Sequence, residues 1–352
     1  MTCHVVRGDP GGDGFGHVAN GVERGPDMRV LSNADVAALL PMDQAIETVA
    51  QVMQRVSRGE AQMPLRHVVP VGGPNMMGVM SGALDQPPCF GVKLVSLFPG
   101  NPAKGLSGHR GAVVLFEPET GGAVAMMDAG LLTAIRTAAA SGVATRALAR
   151  PDARRLTIIG TGEQAEHHLA ALGAVRPLEA VHIVGRRAET AAAFADCARR
   201  AFPDLRVTAG TDARAGVAGA DIVCTVTNAP TPVLCGDWLE PGQHLNIVGA
   251  SVASKREVDD AVVLRSSVWV DSRASALAQA GELVDMIAAG TLMPEQIGAE
   301  IGAVLEGQAE GRRDAAQITL YRSLGVIAQD LACAQHILTR AEAEGRGTEV
   351  AF

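Results

Sequence analysis

A glycine-rich turn in the middle of the chain constrains the fold more than any other feature. Residues 155–165 read RLTIIGTGEQA: an apolar β-branched run, then G-x-G-x-x-A, then a helical pattern. Strand, tight turn and helix in this order form the context in which the motif binds a dinucleotide pyrophosphate. The motif begins near residue 155 of 352. We therefore expect another folded unit to precede it.

Each small residue of the motif has a separate physical role. Gly160 allows the sharp turn, Gly162 lets the backbone approach a phosphate, and Ala165 keeps the helix close to the strand. Glu163 and Gln164 begin the helix, whose N-terminal N–H groups and partial positive charge favour a phosphate. We predict that these five residues bind the cofactor.

Composition and charge exclude several classes of partner. The chain is 47% hydrophobic, carries a formal charge of −8 and contains only 3% aromatic residues. Negative charge disfavours nucleic acids and anionic membranes, and few aromatics are available to stack on bases. No apolar run reaches the length of a membrane span. No His, Cys and Asp cluster has metal-ligand spacing, so no metal is expected.

The six cysteines are scattered and form no C-x-x-C pair. This usage favours reduced thiols in a cytoplasmic protein. Residues 1–27 are rich in glycine and lack the apolar segment of a signal peptide, so we predict a mobile leader there.

Between this leader and the motif, the pattern predicts helices at 35–40 and 42–57 and then a mostly antiparallel sheet. A long alanine-rich helix follows at 131–149, and Pro151 ends it. The extended segments of the predicted sheet are separated by Gly- and Pro-rich turns and comprise 66–71, 76–80, 91–98 and 111–117.

From residue 154 the pattern changes to alternating strands and helices. Six short apolar segments in this alternation predict a doubly wound parallel (Rossmann) sheet. Two helical segments, 299–306 and 318–344, are predicted to close the chain. The fold class is therefore α/β: a Rossmann domain plus an α+β domain with a mostly antiparallel sheet. The predicted parallel strands are 156–159, 181–184, 206–208, 222–226, 245–248 and 268–270.

The end of the second parallel strand indicates which dinucleotide binds. An acidic residue there accepts hydrogen bonds from the ribose hydroxyls of NAD. This chain has Arg186 and Arg187 instead, and two guanidinium groups suit a 2′-phosphate. We predict a preference for NADP(H), with NAD(H) as the alternative.

Three basic residues precede the motif in unusual surroundings. Lys93 shares one strand face with Val95 and Leu97, where a charge is costly without an anionic partner. Arg136 lies in a helix among small side chains, which leaves room for a ligand. Arg66 stands at the start of the sheet. Taken singly, each residue also fits an ordinary surface or ion-paired role, and spacing alone does not connect them.

Several motifs together resemble the ornithine cyclodeaminase/μ-crystallin family, from about residue 28 to the C-terminus. The lysine and arginine motifs are specific, whereas the glycine fingerprint alone is not. The matching segments are GVK (91–93), FPGN (98–101), ETG (119–121), LTAIRTAA (132–139), GTGEQA (160–165), GAS (249–251), KREVD (255–259), VDS (270–272) and SLGVIAQD (323–330).

The resemblance implies a homodimer in which the Rossmann domain is inserted into a substrate-binding domain. The predicted division assigns 28–137 with 315–352 to substrate binding and dimerisation, and 138–314 to the dinucleotide. It also implies that Arg66, Lys93 and Arg136 hold the α-carboxylate of a small amino or imino acid. That carboxylate would supply the counter-charge that buried Lys93 needs.

Family members differ in reaction, and two positions favour reduction over cyclodeamination. Cyclodeaminases of the family carry an aspartate where this chain has Ser251, and a hydroxyl is a poor base near neutral pH. Some also place an acidic residue at the position of Gly78, two before the sheet methionine, Met80. The GAS segment instead resembles the ketimine reductases of the family.

We therefore predict an NAD(P)H-dependent imine reductase that converts Δ1-pyrroline-2-carboxylate or Δ1-piperideine-2-carboxylate to L-proline or L-pipecolate. Lys93 is the candidate for proton delivery or for electrostatic activation of the imine, with a pKa lowered by burial and by two arginines, and Ser251 is at most a hydrogen-bonding partner. Met80 joins the substrate site. Alternatives are an ornithine or lysine cyclodeaminase with bound NAD, an alanine-type dehydrogenase, and a non-catalytic NADPH-binding protein. Further candidates for cofactor binding are Thr137, Thr225, Thr227, Asn228, Gly249 and Ser323.

Overall fold

The computed structural model describes residues 27–352, apart from the side chain of Pro102. The predicted leader, 1–27, lies outside the described residues except for Asp27. The first half contains β1 (Met28–Leu31), α1 (Asn33–Leu39), α2 (Met42–Ser57), β2 (Ala61–Gln62), β3 (His67–Gly72), β4 (Asn75–Asp85), β5 (Pro88–Leu97), β6 (His109–Phe116), β7 (Ala123–Asp128) and α3 (Ala129–Leu148).

The second half contains β8 (Arg155–Ile159), α4 (Glu163–Val175), β9 (Ala180–Val184), α5 (Ala188–Ala201), β10 (Arg206–Gly210), α6 (Ala213–Val217), β11 (Ile222–Thr225), β12 (His244–Ile247), α7 (Asp260–Arg265), β13 (Ser267–Val270), α8 (Arg273–Gln279), α9 (Gly281–Ala288), α10 (Ile301–Leu305), β14 (Thr319–Arg322), α11 (Ile327–Glu344) and β15 (Thr348–Val350).

The first sheet is mostly antiparallel, as predicted. Its strand order is β15-β1-β7-β6-β5-β4-β2, with β3 paired to β4 outside this path. Within it, β1 and β7 run parallel and the other pairs are antiparallel. Side chains alternate along β5, so that Cys89, Lys93 and Val95 are buried while Phe90 and Leu94 are exposed. The buried face of this sheet packs against α11.

The second sheet is fully parallel and has the order β10-β9-β8-β11-β12-β14-β13. The chain proceeds outward from β8 through β9 to β10, and then returns to the other side of β8 with β11. This reversal marks the switch point beside which a doubly wound sheet binds its ligand, at the carboxyl ends of the strands. The predicted α/β class is confirmed.

Helix α3 connects the two sheets. Asp128 caps its N-terminus by accepting a hydrogen bond from the Leu131 amide at 2.8 Å. Most of its residues are buried, and their small side chains allow α2 and α4 to pack closely against it. The predicted domain boundary at 137/138 falls within this one continuous helix.

The predicted helix over 318–344 is wrong at its start. Residues Thr319–Arg322 form β14, which pairs with β12 and with β13 in the parallel sheet, and α11 begins at Ile327. A four-residue strand that is buried on both faces shows no alternation of apolar and polar residues, and its pairing partners are distant in sequence. The proposed start of the second substrate-domain segment at 315 therefore precedes a strand of the dinucleotide-type sheet.

Strands β1, β2, β7, β14 and β15 are absent from the predicted elements, while the six predicted parallel strands match β8 to β13 within two residues at each end. Among residues 27–352, no helix is both long and apolar enough to cross a bilayer. The same residues contain no group of three metal-ligating side chains.

Candidate functional site

The turn after β8 has the geometry that dinucleotide binding requires. Gly160 adopts φ +129°, and a Cβ there would come within 2.8 Å of the Val226 carbonyl oxygen. Gly162 caps α4 without a side-chain hydrogen bond, and a Cβ there would meet nothing within 4 Å. The N-terminus of α4 therefore faces open space with its N–H groups free for a phosphate.

The other residues of the motif divide between ligand and packing roles. Ala165 is fully buried and keeps α4 against the sheet. Glu163 is exposed and accepts a hydrogen bond from Ser107 Oγ at 3.0 Å, which joins it to the loop between β5 and β6. Gln164 carries a buried side-chain oxygen with no hydrogen-bond partner among the described residues.

Arg186 and Arg187 follow β9 at the same edge of the sheet. Both side chains are exposed, and neither forms an ion pair within residues 27–352. They flank the position at which the second strand of such a sheet meets the adenosine ribose. Two exposed guanidinium groups therefore stand at this edge of the sheet.

The carboxyl ends of β11 and β12 meet at one buried carboxylate. Glu257 accepts hydrogen bonds from Thr225 Oγ1 at 2.9 Å, from both the amide and Oγ1 of Thr227 at 2.7 Å, and from the Gly249 amide at 2.5 Å. Asn228 lies beside them and accepts a hydrogen bond from Lys255 Nζ at 2.5 Å. These contacts connect three of the residues predicted to bind the cofactor, Thr225, Thr227 and Gly249, through one carboxylate.

Lys93 and Arg136 converge on Asp330, which α11 carries in its first turn. Lys93 Nζ lies 2.9 Å from each carboxylate oxygen, and Arg136 Nε lies 3.0 Å from Oδ1. Arg136 also donates to Gln329 Oε1 at 3.0 Å. Lys93 and Arg136 are only 1% and 4% exposed. The counter-charge that was expected from a substrate is thus supplied by the protein itself.

Arg66 reaches the same place through the segment that joins β14 to α11. Its Nη2 donates to the carbonyl oxygens of Leu324 at 2.5 Å and Gly325 at 2.7 Å. The amides of those two residues donate to Asp271 Oδ2, at 2.7 and 2.6 Å. Gly325 adopts φ +76°, and a Cβ there would overlap the Arg136 guanidinium. Arg66 and Arg136 therefore meet at Gly325, and Lys93 joins Arg136 at Asp330.

The charges of this cluster do not cancel. Three cations, Lys93, Arg136 and Arg66, face two carboxylates, Asp330 and Asp271, so one positive charge remains when Lys93 is protonated. Burial, together with the charges of Arg136 and Arg66, lowers the pKa of Lys93 to about 7 against the opposing effect of Asp330. Burial and the charge of Arg136 also lower the pKa of Arg66 to about 10. A monoanion would balance the cluster and stabilise the protonated lysine.

The remaining predicted residues lie around these two groups. Met80 is buried and pairs directly with Lys93 across β4 and β5. Thr137 follows Arg136 on α3 and is nearly buried. Ser323 is 1% exposed, and its Oγ has no partner in the described part of the chain. Ser251 is half-buried and forms no side-chain hydrogen bond within residues 27–352.

Sequence reasoning missed three carboxylates that organise the site: Asp330, Asp271 and Glu257. All three are fully buried. Each lies in a segment that matched the family, SLGVIAQD, VDS or KREVD. For Asp330 and Asp271, a carboxylate in an otherwise apolar or small-residue motif is the signal that could have identified them, because a buried carboxylate requires cations or N–H donors. Glu257 lies among charged residues in KREVD, where its burial has no such signal.

Comparison with known proteins is consistent with this geometry. The family model described as "Ornithine cyclodeaminase/mu-crystallin family" matches residues 27–345. A Delta(1)-pyrroline-2-carboxylate reductase of Bacillus cereus is 34% identical over 327 residues, which cover 92% of this chain and 100% of the relative. The ketimine reductase mu-crystallin of Mus musculus is 34% identical over 278 residues, covering 79% of this chain and 84% of the relative.

Solved structures give the same result. The structure of Thermococcus litoralis Delta(1)-pyrroline-2-carboxylate reductase in complex with NADH and L-proline superposes with a TM-score of 0.89 at 33% identity, covering 92% of this chain and 100% of that one. An archaeal alanine dehydrogenase dimer with bound NAD superposes with a TM-score of 0.86 at 29% identity, covering 93% and 100%.

The Asp330 carboxylate is expected to be a major contributor to stability. Asp330→Asn leaves Lys93 and Arg136 buried without an anion, and removing one partner of a buried pair costs about 3–5 kcal/mol. Urea unfolding checks this, and Lys93→Met in the same background is expected to restore part of the loss. Glu47→Gln is the matched control, because Glu47 forms an exposed ion pair with Arg146. Equal losses for Asp330→Asn and Glu47→Gln would contradict the expectation.

Proposed function

The chain belongs to the ornithine cyclodeaminase/mu-crystallin family, and we propose that it is an imine reductase acting on a cyclic ketimine carboxylate. The substrates proposed are Δ1-pyrroline-2-carboxylate and Δ1-piperideine-2-carboxylate, with L-proline and L-pipecolate as products. One observation carries the proposal: a buried cluster with one excess positive charge adjoins the carboxyl edge of a dinucleotide-type sheet. The names of the relatives support the same reaction.

The residues around 323–326 provide a site for a small carboxylate. Arg66 uses Nη2 for the backbone carbonyls, which leaves Nε and Nη1 for an anion. Arg136 is fixed by Asp330 and Gln329. A guanidinium held in this way binds a carboxylate without losing side-chain freedom. We infer that Arg66 and Arg136 orient the substrate through its carboxylate, while Met80 and Lys93 form the adjoining sheet surface.

Lys93 is proposed to supply the proton that the imine nitrogen receives. Reduction adds a hydride to the imine carbon and a proton to the nitrogen. The bound, reduced dinucleotide supplies the hydride. A lysine whose pKa lies near 7 can donate a proton at neutral pH. Because both carboxylate oxygens of Asp330 contact the ammonium group, Asp330 also fixes the direction of the remaining N–H. Ser251 then serves at most as a hydrogen-bonding partner.

Two features support reduction over cyclodeamination. Position 251 holds a serine and position 78 a glycine, so neither supplies the carboxylate that cyclodeamination uses in the family. A Cβ at Gly78 would lie 3.4 Å from Val95, so this position faces a packed strand. The alanine dehydrogenase match keeps open-chain imines from a 2-oxo acid and an amine as a second candidate substrate class.

The cofactor is a nicotinamide dinucleotide, and we propose that NADP(H) is preferred. Open space at Gly162 supports the pyrophosphate site, and the two exposed guanidinium groups of Arg186 and Arg187 support the 2′-phosphate. Thr225, Thr227, Asn228, Gly249 and Ser323 are proposed to face the nicotinamide half. We also propose a cytoplasmic location, which the free thiols of Cys89, Cys224 and Cys333 support.

The reductase assignment predicts oxidation of NADPH when the wild-type protein is mixed with either cyclic ketimine carboxylate. Lys93→Met and Arg136→Met are expected to lower kcat/KM by about a hundredfold or more, because each removes a charge used in the transition state. Absorbance at the reduced nicotinamide band measures the rate. Arg154→Ala is the control, because Arg154 is exposed and pairs with Glu179 away from the site.

Different outcomes of this assay identify the rivals. Ammonia and proline formed from ornithine and NAD would replace the proposal with a cyclodeaminase. Turnover confined to 2-oxo acids with ammonia would favour the alanine-type dehydrogenase. Tight NADPH binding without oxidation by any imine would favour a binding protein.

For the cofactor, Arg186→Ala is expected to raise the KM for NADPH by about tenfold or more, because a charge-assisted hydrogen bond to phosphate is worth about 1.5–3 kcal/mol. The KM for NADH should change little. Arg154→Ala again serves as the control. An equal increase of both KM values in Arg186→Ala would refute the phosphate role.

A homodimer is proposed, supported by an exposed apolar face on the first sheet. Phe90 stacks on Phe116 with ring centroids 5.2 Å apart, and Leu94 is exposed on the same face of β5. A second copy would remove these groups from water. Light scattering is expected to give twice the chain mass for the wild type and a lower mass for Leu94→Lys. A wild-type monomer would contradict the proposal.

A further inference from the structure

The buried carboxylate of Glu257 has no role in the proposed reaction, yet it connects two strand ends at the cofactor edge. Its Oε1 accepts hydrogen bonds from the amide and the hydroxyl of Thr227, and its Oε2 accepts them from Thr225 Oγ1 and the Gly249 amide. The side chain is 0% exposed. Both oxygens are therefore filled by donors from the ends of β11 and β12.

Arg322 donates hydrogen bonds to carbonyl groups of the segment that follows β12. It donates to the carbonyl oxygens of Ala250 and, at 3.2 Å, of Ile247, and it forms a buried ion pair with Glu282. At Gly249 a Cβ would come within 2.7 Å of Glu257 Oε1, so only glycine fits. The segment around Gly249 is thus held by the Glu257 carboxylate at the Gly249 amide and by the Arg322 guanidinium at the Ile247 and Ala250 carbonyl oxygens.

The position of Glu257 relates it to one half of the cofactor. In a doubly wound sheet each half binds one mononucleotide. Gly160, Gly162 and Arg186 follow β8 and β9, on the side that meets the pyrophosphate and the adenosine ribose. The ends of β11 and β12 lie across the switch point, on the nicotinamide side.

We propose that Glu257 is a positioning residue that presets segments 225–228 and 249–251 for the nicotinamide half and contributes nothing to binding of the adenosine half. The inference rests on the proposed function only in taking a nicotinamide dinucleotide as the cofactor. The physical basis of this inference is that four hydrogen-bond donors surround the Glu257 side chain. A carboxylate only accepts hydrogen bonds, so it can satisfy all four, whereas a glutamine would present its own N–H groups to two of them.

Isothermal titration of Glu257→Gln with two probes tests the inference. The probes are NADPH and adenosine 2′,5′-bisphosphate, which contains the adenosine half alone; NADH and ADP replace them if the chain prefers NADH. Affinity for NADPH is expected to fall about tenfold or more, because buried donors lose their acceptors, while affinity for the bisphosphate stays within about twofold. In single turnover, hydride transfer should slow and its deuterium isotope effect should increase.

Asp221→Asn is the matched control. Asp221 is also a buried carboxylate that accepts backbone hydrogen bonds, from the Arg154 and Arg155 amides at 2.9 Å, but it lies at the opposite end of β11. It should change the affinities for the two probes equally or not at all. Thr227→Val, which keeps the carboxylate and deletes one donor, should weaken NADPH selectively by a smaller factor and serves if Glu257→Gln does not fold.

Equal loss of both probes in Glu257→Gln, or no loss of either, would overturn the inference. Neither binding measurement depends on turnover. A failure of imine reduction in the wild type would therefore refute the proposed reaction and leave this test intact.

Discussion

The Asp330 carboxylate is the interaction on which the rest of the site depends. It holds Lys93 from the middle of β5 and Arg136 from the middle of α3, and all three side chains are nearly inaccessible to water. Removing two cations from water is costly, and one carboxylate with full hydrogen bonding offsets most of that cost. Because Asp330 lies in the first turn of α11, the helix N-terminus also favours its negative charge. The position of this helix thereby sets the position of both cations.

The short connection before α11 joins the cluster around Asp330 to the carboxyl edge of the parallel sheet. Residues 323–326 leave β14 of the parallel sheet and enter α11, which covers the antiparallel sheet. Asp271 holds the amides of Leu324 and Gly325, and Arg66 holds their carbonyl groups. Within eight residues the chain passes from Ser323, which is proposed to face the nicotinamide, to Asp330, which contacts Lys93 and Arg136. The proposed cofactor and substrate sites are consequently joined by a segment whose amide and carbonyl groups at Leu324 and Gly325 are hydrogen-bonded to buried side chains.

The sequence predicted those parts that depend on local pattern. The strand–turn–helix at Gly160 follows from the spacing of its glycines, and the short strands follow from the alternation of apolar segments with helical patterns. The structure has both where they were predicted. The failures involve long-range pairing. Strand β14 is defined by neighbours far away in the chain, so Thr319–Arg322 looked like the start of the next helix. Lys93 was recognised as needing an anion, but nothing local indicates that its partner lies 237 residues later. A substrate carboxylate was the simpler expectation, and a protein carboxylate was present.

That correction changes what the site can discriminate. If a substrate were the only counter-ion of Lys93, the apo protein would contain an unpaired buried charge and the cluster would rearrange on binding. With Asp330 and Asp271 already present, two of three positive charges are balanced before any ligand arrives, and the remaining one matches a single carboxylate. The proposed anion site therefore requires little rearrangement to bind an α-carboxylate. On this proposal, discrimination among ring sizes and reactions depends on positions around the charge cluster, such as Gly78, Met80 and Ser251, which carry no charge themselves.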